Sequence, residues 1–387
     1  MPQTELCEKF KRAAGIICKL GLVPFPLTDT AVEIVKRVVG QAEDELDLIV
    51  SFRKNPSQTM KQLVESSGLC EEKILPLALS LAGKGLIFNQ PNSKGLMVYR
   101  LLPFMMVGLM EYKFMGPVSG TPEEKELAAL FEKLLSDLRD QTQTHYDAIA
   151  PLFAAAPAVD RTVPGSVGAE GKAIRIIPVD KTLGAVEELI VPSQTVEQII
   201  EKFDDIAVGH CFCRQRRSLL GEPCKTHAPV QNCFSFGKSA RHTSANGFAR
   251  LVSRGEALKI MKEAEQAGLV HKAFHPAGRE SSPETSICNC CKDCCDTLRG
   301  WRDGTLPMIN STYFISVIDP EACTGCGTCV QWCPTDAISI NPDAVAQRDE
   351  NACLGCGVCA RFCPASAISL KEGLRRVFVM PPRLRKG

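Results

Sequence analysis

Cysteine is the residue type whose number and spacing in this chain could support chemistry. The 387 residues include 20 cysteines, and most of them stand in dense clusters. Residues 1–19 mix charged with apolar side chains, so they lack the uninterrupted apolar stretch of a secretory signal. In a cytoplasmic chain, clustered thiols bind metals more often than they form disulfides. We therefore expect a cytoplasmic metal-binding protein.

Two copies of one cysteine motif lie 30 residues apart near the C-terminus. Each reads Cys-x2-Cys-x2-Cys-x3-Cys-Pro. Three cysteines spaced in this way let one tight loop reach three corners of a cubane, and the fourth cysteine of each run ligates the other cluster. By that rule, the first cluster is held by Cys323, Cys326, Cys329 and Cys363. The second cluster is held by Cys353, Cys356, Cys359 and Cys333.

This repeated motif resembles the bacterial two-cluster ferredoxin, and the resemblance implies two [4Fe–4S] clusters. Glycines inside the loops supply backbone freedom and let amide N–H groups approach the sulfurs. The candidate cofactor-binding glycines are Gly325, Gly327, Gly355 and Gly357. Zinc is the disfavoured alternative, since structural zinc usually takes two separated cysteine pairs. Six acidic and two basic residues lie between Asp319 and Cys363, and such a face would steer a basic partner.

A second group of nine cysteines occupies the middle of the chain. Its members are Cys211, Cys213, Cys224, Cys233, Cys288, Cys290, Cys291, Cys294 and Cys295. Two arms, 55 residues apart, could close on one site. Adjacent cysteines cannot both face the same side of a strand, so only a subset should bind any one metal. We expect one or more additional [4Fe–4S] clusters here, with zinc or reactive thiols as the alternatives.

Charged residues accompany the first of these arms. Arg214, Arg216 and Arg217 could raise the potential of an anionic cluster or bind an anionic group. A solvated run of charge is the alternative interpretation. His210 and His227 are conceivable further ligands, although each is more often a polar loop residue.

The elements around these motifs indicate an α+β multidomain protein. In the N-terminal domain, residues 1–150, the pattern predicts helices over 42–53, 59–66 and 70–82, and a hairpin over 86–101. This order resembles a MarR-like winged-helix domain over about sixty residues. A further helix is expected over 123–147. Cys7, Cys18 and Cys70 are scattered through the domain, and we expect them to be buried structural cysteines.

The helix predicted over 70–82 argues against recognition of DNA. It begins with Glu71 and Glu72 and is otherwise mostly apolar, so it would repel phosphate and offer little to a base edge. We therefore interpret the N-terminal domain as a protein-docking or homodimerisation module, with DNA binding as the open alternative.

Two more regions follow. A linker rich in Ala, Pro and Gly is predicted over 148–171, and a cysteine-rich α/β domain over 172–309. That domain has a strand at 173–179, a helix at 191–203 capped by Ser193, and a helix at 253–267. The ferredoxin-like domain, with a basic tail, covers 310–387. The longest apolar run, residues 101–110, is too short to span a bilayer.

The whole arrangement resembles 4Fe–4S-binding proteins of anaerobic bacteria that combine a Cys-x-Cys-Arg element, a later Cys-x-Cys-Cys-x2-Cys-Cys element and a C-terminal ferredoxin. We expect an iron–sulfur electron-transfer protein or subunit that relays low-potential electrons to a partner redox enzyme. The alternatives are a redox-sensing winged-helix transcription regulator and an iron–sulfur reductase with its own site in the middle domain.

Overall fold

The computed structural model describes residues 3–21, 25–158, 160–165, 173–177, 195–275 and 283–384. The chain forms two compact units, and each is assembled from separate stretches of sequence. The first consists of Met1–Asp140, Phe212–Pro223 and Ala240–Arg250. The second consists of Gln141–Cys211, Cys224–Ser239 and Leu251–Gly387. The three-domain division at residues 150, 172 and 310 stays a prediction.

The N-terminal part is mainly helical. In chain order its elements are α1 (Gln3–Ile17), α2 (Asp29–Val39), α3 (Glu43–Ser51), β1 (Ser57–Thr59), α4 (Met60–Ser67), α5 (Glu71–Gly83), β2 (Ile87–Pro91), β3 (Met97–Leu101), α6 (Leu109–Met115), α7 (Pro122–Thr144) and α8 (Tyr146–Ala155). The predicted helices over 42–53, 59–66 and 70–82 are thereby confirmed, as is the hairpin of β2 and β3.

Local signals explain these boundaries. Thr59 caps α4 in a capping box with Gln62, and Gly68 ends the helix in the left-handed conformation. Strand β1 pairs with β3, which gives an antiparallel three-stranded sheet in the order β1-β3-β2. Apolar side chains such as Leu46 and Leu81 are fully buried beneath it in one core. Cys18 is buried, whereas Cys70 is exposed at the start of α5 and is therefore not the buried structural residue that we expected.

The rest of the chain contains the strands of a large sheet, together with helices of both units. Its first elements are β4 (Asp160–Val163), β5 (Ile176–Ile177), α9 (Val196–Ile200), β6 (Ile206–His210), α10 (Phe212–Leu219), β7 (Gln231–Phe236), α11 (Lys238–Ala245), β8 (Arg250–Leu251), α12 (Arg254–Gln266), β9 (Val270–Phe274) and β10 (Ser286–Cys290). The C-terminal elements are α13 (Asp296–Arg302), β11 (Met308–Ile318), α14 (Thr328–Trp332), β12 (Ile338–Ile340), β13 (Ala346–Arg348), α15 (Val358–Arg361) and β14 (Ile368–Val379).

In the part of the chain that the structure describes, nine strands form this sheet, in the order β5-β14-β11-β4-β9-β10-β7-β6-β8. The predicted linker over 148–171 is wrong for part of its length. Helix α8 extends to Ala155, and the buried strand β4 pairs with β9 on one side and β11 on the other. Of the helix predicted over 191–203, only Val196–Ile200 is helical, and Ser193 lies outside the described residues. The helix predicted over 253–267 is confirmed, with Ser253 as its cap.

The ferredoxin segment lies between the two longest strands. Strands β11 and β14 pair in antiparallel fashion from Met308 opposite Val379 to Ile318 opposite Ile368. The chain between them carries the short helices α14 and α15 and the hairpin of β12 and β13. Among the described residues, no helix is both long and apolar enough to cross a membrane.

Candidate iron–sulfur and thiol sites

Each ferredoxin cysteine triplet lies on a tight loop that turns directly into a short helix. Gly327 precedes α14 with a φ of 75°, and Gly357 precedes α15 with a φ of 76°. This left-handed backbone suits glycine, which has no Cβ to clash. The loops therefore present the third cysteine of each triplet, Cys329 and Cys359, on the first turn of a helix.

Two pockets bring the cysteines of the two motifs together. The lining of the first pocket includes Cys323, Cys326, Cys329 and Cys363. The lining of the second pocket includes Cys353, Cys356, Cys359 and Cys333. Each pocket thus collects three thiols from one motif and the fourth from the other motif. Four thiols around a mainly apolar cavity fit a [4Fe–4S] cubane, because each of its irons takes one thiolate.

Two loop glycines lie where no side chain has room. A Cβ on Gly325 would lie 2.1 Å from the carbonyl oxygen of Ala344, and the residue has a φ of 66°. A Cβ on Gly355 would lie 2.0 Å from the carbonyl oxygen of Phe314, at a φ of 64°. The two predicted glycines therefore let each loop pack against neighbouring backbone while its cysteines face the pocket.

Polar groups reach several of the pocket sulfurs. The N–H of Ala337 donates to Cys333 Sγ at 3.2 Å, and the N–H of Ala346 donates to Cys323 Sγ at 3.4 Å. Ser316 Oγ lies 3.6 Å from Cys353 Sγ. Hydrogen bonds to ligating sulfurs stabilise extra negative charge, so they raise the potential of a bound cluster.

The pockets differ in exposure to solvent. Burial raises the pKa of the Cys356 thiol, and burial together with neighbouring thiolates raises the pKa of Cys359. Cys326 is exposed, and hydrogen bonding by Thr328 lowers the pKa of its thiol. Buried thiols of this kind ionise only when a cation compensates their charge, which is what binding of iron provides.

The comparisons with known proteins concern this segment. Residues 316–370 match the 4Fe–4S dicluster domain family. A stretch of 36 residues is 47% identical to a probable ferredoxin of Methanosarcina thermophila, and it covers 9% of this chain and 62% of that relative. No solved structure matches the chain. The protein therefore contains a ferredoxin-like iron–sulfur domain, and this domain points to iron–sulfur electron transfer.

The cysteines of the middle region separate into distinct sets. The first is centred on Cys224, Cys291 and Cys294, whose sulfurs all lie within 4.8 Å of one another. Cys224 Sγ is 3.5 Å from Cys291 Sγ, which in turn is 3.0 Å from Cys294 Sγ. All three side chains are buried. Contact with Cys224, contact with Cys291 and burial raise the pKa of Cys294, and the charge of Cys211 adds to the rise.

The second set consists of Cys233, Cys288, Cys290 and Cys295. Ile287 of β10 pairs with Phe234 of β7, and Cys288 and Cys233 are the next residues beyond that pair. The pKa of the Cys288 thiol is raised, chiefly by contact with Cys233 and next by burial. The pKa of the Cys290 thiol is raised, chiefly by contact with Cys295 and next by burial. Cys288 and Cys290 are two residues apart on one strand, so they share a face of the sheet.

The second set adjoins the ferredoxin segment. Cys290 and Cys295 belong to one apolar cluster of buried side chains. The same cluster contains Leu354 and Val358, which flank Cys356 in the second ferredoxin loop. The two groups of thiols are therefore neighbours within the second compact unit.

The structure also places other predicted residues of the middle region. Cys213 lies on α10, in a segment of the first unit. His227 is exposed, and His210 Nε2 has Gln231 Nε2 at 3.5 Å. Arg216 and Arg217 form ion pairs with Glu132 within the first unit, so their charge is directed at a carboxylate.

Sequence reasoning missed one buried ion pair beside the second set. Lys272 Nζ lies 2.7 Å from Asp160 Oδ2, and their side chains are 1% and 2% exposed. Lys272 is the cross-strand neighbour of Cys288. Burial opposes its charge, but Asp160 and the thiolates of Cys290 and Cys295 together raise the pKa of Lys272. No local pattern distinguishes this lysine from a surface one, since its partner is 112 residues away.

Proposed function

We propose that this protein relays low-potential electrons through two ferredoxin-type [4Fe–4S] clusters to a partner redox enzyme. The observation that carries the proposal is the crossed lining of the two pockets inside the dicluster domain, where each motif contributes its fourth cysteine to the other pocket. Bound clusters supply one-electron chemistry, while the chain supplies the thiolates, the N–H donors and the exclusion of water.

The ligands follow from the pocket linings. One cluster takes Cys323, Cys326, Cys329 and Cys363, and the other takes Cys353, Cys356, Cys359 and Cys333. Gly325 and Gly355 keep the loops close to their neighbours. Because one small segment holds both pockets, the clusters lie close together, which suits transfer of electrons between them.

We further place one additional [4Fe–4S] cluster in the middle region, held by Cys233, Cys288, Cys290 and Cys295. The apolar cluster that Cys288, Cys290 and Cys295 share with Leu354 and Val358 supports this extension. Electrons entering at the exposed first ferredoxin pocket, whose Cys326 is open to solvent, would pass through the second pocket to this third site.

The decisive experiment is analysis of the full chain purified without oxygen. We expect about twelve irons and about twelve sulfides per chain, that is four of each per cubane. Reduction by dithionite should give EPR signals of interacting [4Fe–4S]⁺ clusters, and a low-potential viologen should exchange electrons with them. Stoichiometric zinc with no cubane signal would overturn the proposal. About eight irons would preserve the ferredoxin clusters and remove the third.

For the N-terminal domain we propose a winged-helix fold that docks a protein. Its sheet order and the succession α4, α5, β2, β3 support the fold. On α5, Leu75 and Leu79 lie one turn apart and are 42% and 52% exposed, and Glu71 and Glu72 begin the same helix. An apolar and acidic face of this kind suits a protein surface better than a phosphate backbone.

A redox-sensing transcription regulator is the second candidate function, favoured by the same sheet order. Two measurements separate the candidates. Leu75→Glu with Leu79→Glu should weaken capture of the partner enzyme or, if the partner is a second copy, convert a dimer to a monomer in light scattering. Salt-sensitive, sequence-selective binding of DNA by the full chain at sub-micromolar concentration would favour the regulator instead.

We also propose a cytoplasmic location, because the cysteines and clusters require a reducing compartment. None of the described cysteines is in a disulfide. The partner is expected to present a basic surface to the acidic ferredoxin segment, so electron transfer between them should slow as salt is raised.

A further inference from the structure

The sulfurs of the first middle set lie closer together than the four thiolate sulfurs around a [4Fe–4S] cubane. The sulfurs of Cys224, Cys291 and Cys294 all lie within 4.8 Å of one another, at 3.5 Å between Cys224 and Cys291 and 3.0 Å between Cys291 and Cys294. Four thiolates around one tetrahedral ion, each at about 2.3 Å, have sulfurs about 3.8 Å apart. Among the described residues, the eight ferredoxin cysteines form no group of three sulfurs so close together.

This contrast within one molecule separates two kinds of site. In a cubane each cysteine binds a different iron, so the sulfurs stand on the outside of the cluster and far from one another. A single ion draws its ligands together. We propose that Cys224, Cys291 and Cys294, with Cys211 as the fourth ligand, bind one zinc ion in a closed structural site.

The local backbone suits this assignment. Cys291 and Cys294 have the Cys-x2-Cys spacing of zinc sites, and the N–H of Cys294 donates to Cys291 Sγ at 3.1 Å. A donor to a ligating sulfur orients it and spreads its charge. The Cys224 sulfur has the hydroxyl of Thr226 at 3.0 Å. Two of the three thiols thus have a polar contact besides those among themselves.

A further contact ties the two arms together. The N–H of Lys225 donates to Asp293 Oδ2 at 2.9 Å, which fixes the loop after Cys224 against the turn between Cys291 and Cys294. The zinc ion would therefore bind where the two arms are already held together by this hydrogen bond. All three cysteines are buried in a cluster with apolar side chains such as Ala264 and Leu269, and such an environment disfavours thiolate charge unless a cation compensates it.

We take Cys211 as the fourth ligand from its place in the fold. Its sulfur is not within 4.8 Å of all three others, so metal binding would draw its side chain toward them. Cys211 directly follows β6, and its N–H donates to the carbonyl of Val230 at 2.7 Å, which fixes the backbone on the approach to β7. Its charge raises the pKa of Cys294 and also that of Cys290 in the second set. The remaining four thiols of the unit's middle region form the second set, so each set has four members and adjacent cysteines fall in different sets.

The site would clamp the end of β6, the loop at Cys224 and the turn after β10. A structural zinc contributes its binding energy to folding, so the ion would hold the strands that carry the second set. The assignment does not depend on the proposed electron transfer, because it concerns other thiols and another metal.

The first test uses the full wild-type chain, purified without oxygen from cells supplied with iron and zinc. We expect one zinc per chain beside the cluster iron. At the zinc absorption edge, EXAFS should show four sulfurs at about 2.3 Å and no iron neighbour. Absence of zinc, with about four irons beyond those of the other clusters, would overturn the proposal. Three sulfurs with one nitrogen or oxygen would overturn the role of Cys211.

Variants give an independent test. Cys291→Ser and Cys294→Ser should each lose at least ten-fold in zinc content while the iron content of the ferredoxin segment remains. Cys70→Ser, at an exposed cysteine outside every set, is the matched control and should retain both metals. Loss of iron but not zinc in Cys294→Ser would refute the assignment. If these variants do not fold, the wild-type EXAFS decides. Loss of the ferredoxin EPR signals in the wild type would instead refute the proposed function.

Discussion

The indole ring of Trp332 stacks on the phenyl ring of Phe362, with centroids 3.9 Å apart and planes 4° from parallel. Each ring belongs to the residue immediately before the fourth cysteine of its motif, Cys333 or Cys363. Each of these cysteines lines the pocket of the other motif. The ring stack therefore joins the two chain segments that cross from one pocket to the other. Offset or parallel aromatic pairs contribute about 0.5–1.5 kcal/mol beyond their burial.

We predict that Gly268→Ala disturbs this stack. Gly268 has a φ of 71°, and a Cβ there would lie 2.1 Å from the six-membered ring of Trp332. Both the left-handed backbone and the clash oppose alanine, so we expect a destabilisation of roughly 1–3 kcal/mol. The measurement is the rate at which the visible cluster absorbance is lost in guanidinium without oxygen, which should rise.

Gly255→Ala is the matched control, because it lies on α12 with nothing within 4 Å of its Cβ. Alanine in a helix should leave the rate unchanged or lower it, since it is favoured over glycine by up to about 1 kcal/mol. Equal rates for the two variants would show that Gly268 does not support the stack.

The crossed linings predict which substitutions act together. Cys333→Ser should alter the same EPR signal as Cys353→Ser, and Cys363→Ser the same signal as Cys323→Ser. The reason is that each pair lines one pocket. Simulation of the spectra of the four reduced variants checks the pairing. A Cys333→Ser spectrum that matches Cys323→Ser would contradict it.

The ferredoxin segment could be predicted from the sequence because its motif lies in short, contiguous stretches of the chain. Cysteine spacing sets which thiols one loop can present, and the fixed rule for the fourth cysteine predicted the groups that the two pockets collect. Trp332 and Phe362 could also have been found, since they occupy equivalent positions in the two motifs. The helix α12 was predictable for the same reason, from its apolar period and the cap at Ser253.

Elements stabilised by distant partners were not predictable in this way. Strand β4 is short, and its neighbours β9 and β11 lie more than 100 residues downstream. The division of the middle cysteines depends on the pairing of β10 with β7, which composition does not encode. The rule that adjacent cysteines face apart did anticipate one result, since Cys290 and Cys291 fall in different sets.

A buried histidine in the first unit predicts a pH dependence of stability. His242 Nδ1 lies 3.0 Å from Asn89 Oδ1, and the ring packs against Phe88 and Tyr112. Burial and then the charge of Arg100 lower the pKa of His242 from 6.5 to about 4. Below pH 6.5 the histidine is therefore protonated in the unfolded chain but stays neutral in the folded chain until about pH 4. The free energy of unfolding should fall by about 3 kcal/mol between pH 6.5 and 4.

His242→Gln should flatten this pH dependence, although it lowers stability at pH 7 through lost packing. Hydrogen exchange of peptides from residues 85–115, corrected for the intrinsic effect of pH, measures the opening free energy. His145→Gln, at an exposed histidine, should keep the wild-type slope. An unchanged slope in His242→Gln would assign the pH dependence to other groups.

The last prediction concerns the buried pair beside the second middle set. Lys272→Met removes a positive charge next to Cys288 and leaves Asp160 unpaired in the interior. Breaking a buried ion pair in this way costs about 3–5 kcal/mol. Asp160→Asn removes the negative charge instead, and the double variant should recover most of the stability because neither charge is left alone.

The same variants test the third cluster through its potential. Lys272 stabilises added negative charge on its thiolate neighbours, so Lys272→Met should lower the midpoint potential of that cluster and Asp160→Asn should raise it. EPR-monitored redox titration of the full chain measures both shifts. Lys259→Met, on the exposed side of α12, is the control and should leave all potentials in place. If Lys272→Met destabilises the protein while every potential stays unchanged, the second set holds no cluster, and the electron path ends at the ferredoxin segment.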